Sequence, residues 1–152
     1  MDNIIDLQSA KAELDARAQD VFARTIWGEA RGEGQTGMTA VACVVMNRVN
    51  IARAQPNGDY WWGNSILRVC QKPLQFSCWN PNDPNLLQLQ SVTTENAEFA
   101  LATRIAGWAA TGSLADPTGG ATHYHALSVI PSWASGHTPT AIIGHHVFYK
   151  LV

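Results

Sequence analysis

The sequence predicts an α+β domain, mainly helical, with a small β portion at its C-terminal end. Three observations lead there. Apolar residues recur at helical spacing in three stretches of the first 110 residues. Two stretches after residue 120 alternate in character and carry β-branched and aromatic residues. Between them lie turn-rich loops, with no repeat, low-complexity tract or linker, so the 152 residues read as a single domain, 1–152.

The first helix is predicted over 9–24, with Ser9 as its cap and residues 1–19 as a helical extension of the domain. Leu14, Ala18, Val21, Phe22 and Ile26 form its inner face. Glu29 continues that face, because Phe22, Ile26 and Glu29 stand at i, i+4 and i+7. Gly28, Gly32, Gly34 and Gly37 are expected to end the helix in a tight loop. The second helix, 37–54, buries Met38, Val41, Ala42, Val45, Met46 and Val49. Residues 55–64 are a loop of turn formers and aromatics, and 65–70 one or two helical turns. Prolines bracket a short extended piece at 73–81. Residues 94–110 return to helix, capped by Thr93 or Thr94, with Ala97, Leu101, Ile105 and Trp108 inward. Asp116–Gly120 is a turn, and residues 121–127 and 141–151 are strands.

Charged residues make up 14% of the chain and the net charge is −2, without a basic run. Nucleic acid is therefore not an expected partner. No apolar run approaches the roughly 20 residues of a membrane span, so no stable membrane insertion is expected. Met1–Asp6 lacks the basic-then-apolar pattern of a Sec-type leader. A chain made in the cytoplasm this way needs another route to any external target. A monomer is expected. Three cysteines do not make a disulfide framework: Cys43 reads as a small buried hydrophobe, while Cys70 and Cys78 could pair.

Glu29 and Glu33 are the candidate catalytic residues. A carboxylate at a helix end against an apolar wall is held neutral and can act as a general acid, the chemistry of glycosidic cleavage. The plainer alternative pairs Glu29 with Arg31 and leaves Glu33 solvated. His123 and His125 alternate on one face of a strand, with His145 and His146 on the last strand and His137 in a loop. An HxH pair could serve a zinc amidase, yet no third ligand has diagnostic spacing and no HExxH occurs, so neither metal nor cofactor is expected. Tyr60, Trp61, Trp62, Phe76, Trp79, Tyr124 and Trp133 lie in loops or beside turns, where flat rings suit a sugar-binding groove. Without G-x-S-x-G, a serine hydrolase is disfavoured.

Ala23-Arg24-Thr25-Ile26-Trp27-Gly28-Glu29-Ala30-Arg31-Gly32-Glu33-Gly34, followed by Thr39–Val49, resembles the opening motif of the SleB-type cell wall hydrolases, which include spore-cortex-lytic enzymes and phage lysins. Gln75–Asn80, Asp116–His125 and Ile143–Tyr149 fit the same family. The resemblance runs from about residue 20 to the end. It implies a lysozyme-like, lytic-transglycosylase-like fold and a peptidoglycan glycan strand as partner. It also places the family's catalytic glutamate at Glu29. The expected reaction is cleavage of the MurNAc–GlcNAc β-1,4 bond, as a lytic transglycosylase or alternatively a muramidase. Gln35, Ser77, Tyr124 and His125 become candidates for orienting the sugar, and Phe76, Trp79 and Trp133 for walls of the groove. A bare catalytic domain with the Phe-Ser-Cys-Trp-Asn segment is more like a phage or prophage endolysin. Such a protein reaches the wall by holin-mediated release, virion delivery or lysis.

Overall fold

The computed structural model describes residues 2–152. Five α-helices precede a three-stranded sheet: α1 (Asp2–Ala30), α2 (Gly34–Arg53), α3 (Ile66–Gln71), α4 (Leu86–Ser91), α5 (Ala97–Ala110), β1 (His123–Ala126), β2 (Ala141–Ile143) and β3 (His146–Tyr149). Two 3₁₀ turns, Ser77–Trp79 and Ser132–Ala134, complete the regular structure. The mainly helical α+β class is as expected from the sequence.

α2 is the central element. Met38, Val41, Val45 and Val49 pack into the helical core with Phe22 and Ile26 of α1 and Phe99 and Ile105 of α5. Its other side, Ala40 and Val44, packs on Phe148 of β3 and Ala121. A helix apolar around most of its circumference must be covered on two sides, and here the second cover is the sheet. Met46 is only half-buried.

α1 differs from its expected form at both ends. It starts before Ser9, which therefore does not cap it, and runs through Gly28 to Ala30. Gly28 stays helical, and its missing side chain lets α1 press on the loop beside it. A Cβ there would lie 2.8 Å from Cβ of Cys78. The reversal comes later, where Gly34 takes φ +70 and starts α2, so Gly37 lies inside α2 rather than in the turn. Leu14, expected in the core, is 55% exposed. The reason is length: 29 residues of helix span about 43 Å, and α5, its main neighbour, has 14 residues.

Elsewhere the corrections are local. The 73–81 segment is not extended: Leu74 at φ +67 reverses the chain, and the Ser77–Trp79 3₁₀ turn follows. α4 was not foreseen. α5 is capped by Asn96, whose side chain accepts the Phe99 N–H at 3.0 Å, instead of by Thr93 or Thr94. Its inner face is Phe99, Ala102, Ile105, Ala106 and Ala109, which leaves Ala97 exposed and Trp108 40% exposed. Phe99 sets the phase, and the alanines let α1 come close. Residues 141–151 hold two strands, split by a two-residue hairpin turn at Gly144 (φ +56) and His145. His145 is thus in the turn and not on the strand. Cys43, Cys70 and Cys78 are all buried free thiols, so Cys70 and Cys78 do not pair.

The sheet order is β1-β3-β2, antiparallel throughout. Tyr124 pairs with Phe148, and both face α2. One residue along, His123 and His125 fall on the opposite face, against Trp133.

Candidate active site

A cleft of about 600 Å³ lies between the helical body, the 74–77 loop and the β1 edge. Glu29 reaches it from the last turn of α1, because Ile26 and Phe22, one and two turns earlier, are fully buried and fix which face points inward. Tyr124 reaches it from β1 and donates its hydroxyl to Oε1 of Glu29 at 2.9 Å. The Tyr124 ring is wedged between aromatic neighbours, 5.5 Å from Phe148 and 5.0 Å from His146.

Burial is the main reason the Glu29 carboxyl is pushed up to about 7. The hydrogen bond from Tyr124 pulls it down, the negative charge of Asp83 pushes it up, and the Cys78 backbone amide pulls it down. Burial and the neighbouring Glu29 raise the Tyr124 phenol well above its ordinary range, so Tyr124 is a neutral donor. A carboxyl near 7 is half protonated at neutral pH, which suits both giving and taking a proton.

Arg48 of α2 forms part of the wall. Its Nε donates to the Thr122 carbonyl at 2.8 Å and its Nη1 to Oε1 of Gln75 at 3.3 Å. The guanidinium also lies over the Trp62 and Phe76 rings. Burial lowers it to about 10, so it stays charged and ties α2 both to Thr122, just before β1, and to the loop. Burial, Arg48 and His137 together lower His123 to about 4, and Thr122 Oγ1 meets its Nδ1 at 2.8 Å. Burial also lowers His146. His125 spends both ring nitrogens on protein partners, the Ala126 carbonyl at 2.8 Å and the Tyr149 hydroxyl at 3.0 Å. Among the described residues, no three His, Cys, Asp or Glu side chains converge as a metal-ligand set.

Of the residues singled out from sequence, Glu29, Phe76, Ser77, Tyr124, His125 and Trp133 line the cleft. Three do not. Glu33 sits on the α1–α2 turn and accepts the His145 backbone N–H at 3.1 Å and its ring Nδ1 at 2.9 Å. Burial raises the Glu33 carboxyl, but the hydrogen bonds and charge of His145, with His146, outweigh it and hold it below its ordinary value. Gln35 is exposed on the first turn of α2, away from the cleft lining. Trp79 packs on the helical core and donates its indole N–H to Oγ1 of Thr25 at 2.9 Å. Of the other loop aromatics, Trp62 is fully buried, its N–H on the Arg48 carbonyl, while Trp61 is exposed on the cleft rim.

Arg48, Leu74, Gln75, His123 and His146 also line the cleft but were not picked out as site residues. The histidine alternation places His123 beside His125, and the strand pattern places His146 on the last strand. Arg48 gave one unused signal: a charged residue inside the strongest apolar helical pattern needs a buried partner.

A family model described as cell wall hydrolase matches residues 32–149. The spore cortex-lytic enzyme of Bacillus cereus is 30% identical over 131 residues, which are 86% of this chain and 43% of that protein. The spore cortex-lytic enzyme of Bacillus subtilis is 30% identical over 129 residues, 84% of this chain and 36% of that protein. The chain thus spans less than half the length of these curated relatives. Among solved structures, the catalytic domain of the Bacillus cereus SleB protein aligns with a TM-score of 0.64 at 25% identity, covering 88% of this chain and 89% of that one. The catalytic domain of the germination-specific lytic transglycosylase SleB from Bacillus anthracis aligns with the same TM-score at 27% identity, covering 88% and 93%. The architecture is the lysozyme-like fold of those domains.

Proposed function

The chain belongs to the cell wall hydrolase family, and on that premise we propose that it cleaves the MurNAc–GlcNAc β-1,4 bond of peptidoglycan as a lytic transglycosylase. The observation that carries this reading is the pairing of Glu29 with Tyr124 on the cleft wall, with the Glu29 carboxyl near 7. Glu29 lies just ahead of the family-matched segment, so its role is argued from its surroundings.

In this mechanism neutral Glu29 protonates the glycosidic oxygen as the bond to C1 of MurNAc breaks. The resulting carboxylate, steadied by the Tyr124 hydroxyl, takes the proton of the C6 hydroxyl of the same sugar. O6 then closes on C1 to give the 1,6-anhydro ring, and Glu29 is protonated again. One carboxylate suffices for this cycle. A muramidase needs a second one at a set distance from the first. Glu29 is the only carboxylate among the described residues lining the cleft, which favours the transglycosylase product. The exposed rings of Trp133 and Trp61 are suited to sugar faces, while Phe76, expected to touch the sugar, is buried and backs the cleft wall. Ser77 is suited to the sugar's hydroxyl and acetamido groups, whereas His125, with both ring nitrogens bonded within the protein, only shapes the wall. The Gln75–Asn80 segment supports a phage or prophage endolysin that reaches the wall through a holin, a virion or host lysis.

The test is mass spectrometry of soluble fragments released from purified peptidoglycan by the wild-type chain and by Glu29→Gln. Anhydromuramyl ends that disappear in the variant are expected. Reducing muramic ends would mean that water is the acceptor. Free stem peptides with intact glycan would overturn the glycosidic reading in favour of an amidase.

A further inference from the structure

Glu29 and Ser77 line a second, smaller compartment of about 80 Å³ besides the cleft, walled by Trp27, Gly28, Cys78 and Asp83. The volume is room for about two waters, at roughly 30 Å³ each. The Trp27 side chain is buried, and its indole N–H has no acceptor in the protein. A buried N–H left in that state is costly, and ordered water is its usual partner where the surroundings are polar. Asp83 supplies the acceptor. Its backbone N–H donates to the Asn80 carbonyl at 2.9 Å, and its Oδ1 takes the Asn85 N–H at 2.8 Å, so a tight turn holds the carboxylate in place.

We propose that this compartment is a water site in which solvent takes the Trp27 N–H and donates to Asp83, and that Asp83 is a positioning residue for Glu29, setting its proton affinity from behind. The inference rests on the reading of Glu29 as acid and base. A fixed negative charge beside a carboxyl opposes its ionisation. Before cleavage, that keeps the acid protonated. After Glu29 has given its proton to the leaving oxygen, the two carboxylates repel. Glu29 then takes the C6 hydroxyl proton more readily, and its O–H bond is restored at the end of the cycle.

The other ionisable groups around Glu29 do not replace this effect. Tyr124 and Cys78 are raised, and His123 and His146 lowered, so they stay uncharged near neutrality. His125 has both ring nitrogens bonded. Arg48 in the cleft wall and Arg31 behind Glu29 are cations and act in the opposite sense. Asp83 is the only carboxylate besides Glu29 among the described residues lining either compartment.

The experiment uses the full chain as wild type, Asp83→Asn and Asp83→Glu. The Glu29 carboxyl is titrated by carbon NMR, and kcat/KM for fragment release is followed against pH. In Asp83→Asn the Glu29 titration is expected to move down by about half a pH unit or more. The alkaline limb of kcat/KM moves with it, and Asp83→Glu restores both. A Glu29 titration that stays put or moves up in Asp83→Asn overturns the proposal. A titration that moves while the limb does not supports the Asp83 coupling and instead removes Glu29 from catalysis. A high-resolution crystal structure of the wild type is the check that does not depend on a variant folding. Ordered solvent within hydrogen-bonding reach of both Trp27 Nε1 and Asp83 supports the site, and a dry compartment overturns it.

Discussion

Replacing Glu29 with Gln should stabilise this protein at alkaline pH while abolishing its activity. In the folded chain the Glu29 carboxyl sits at about 7, against an ordinary value of 4.5. Between those two values the unfolded chain has released a proton that the folded chain still holds. Stability therefore falls as pH rises through this window, and the full cost is reached once Glu29 ionises in the folded state. Each tenfold difference in proton affinity is worth about 1.4 kcal/mol, so the cost of the ionised glutamate is ~3 kcal/mol, cut to about 2–3 kcal/mol by water in the open cleft. Gln has nearly the same shape, accepts the Tyr124 hydroxyl and never ionises. The assay is urea unfolding followed by tryptophan fluorescence, for both proteins, from about pH 4.5 to about pH 8.5. The two should be close in stability at the acid end. The variant should lead by about 2–3 kcal/mol above the folded value. A difference that stays flat with pH would refute the claim that burial holds the Glu29 proton.

Two further outcomes follow from the same geometry. Tyr124→Phe removes the 2.9 Å donor to Glu29, and a hydrogen bond to an ionised group is worth about 1.5–3 kcal/mol, so kcat should fall roughly 10- to 100-fold. The alkaline limb of kcat/KM should move to higher pH, because that hydrogen bond lowers Glu29, and a limb moving to lower pH would contradict the assignment. Glu33→Gln loosens the tie to the β2–β3 turn without touching the cleft. The Glu33 carboxyl is held low, so the tie contributes above its ordinary range and is lost as pH falls. A loss of no more than about 1 kcal/mol at neutral pH is expected in thermal or urea unfolding, fading in acid, with the released products unchanged.

The place of Glu29 on the inner face of α1 was legible because helical spacing is a local rule. Phe22, Ile26 and Glu29 share one face whatever the rest of the chain does, and so do Met38, Val41, Val45 and Val49. Strand alternation likewise separates Tyr124 from His123 and His125 without reference to any partner. The motif around Glu29 pointed to the family because it is long and continuous. Local rules fail where the deciding contact comes from far along the chain. Leu14 has the right period but no neighbour beyond the reach of α5, and Trp108 lost its inward place to Phe99. Gly28 reads as a helix breaker, yet it is the point where α1 must touch Cys78.

The candidate site divides in the same way. By itself the sequence determined which helix face carries Glu29, which strand face carries Tyr124, and that loop aromatics stand near both, since each follows from dihedral preferences over a few residues. Only the tertiary structure decided that the Tyr124 hydroxyl reaches Glu29 across 95 positions. It also decided that Asp83 stands behind Glu29, that Glu33 is held by His145, and that Gln35 and Trp79 lie outside the cleft. Proton affinity depends on burial and on charges that packing brings together, and no spacing rule in one dimension encodes either.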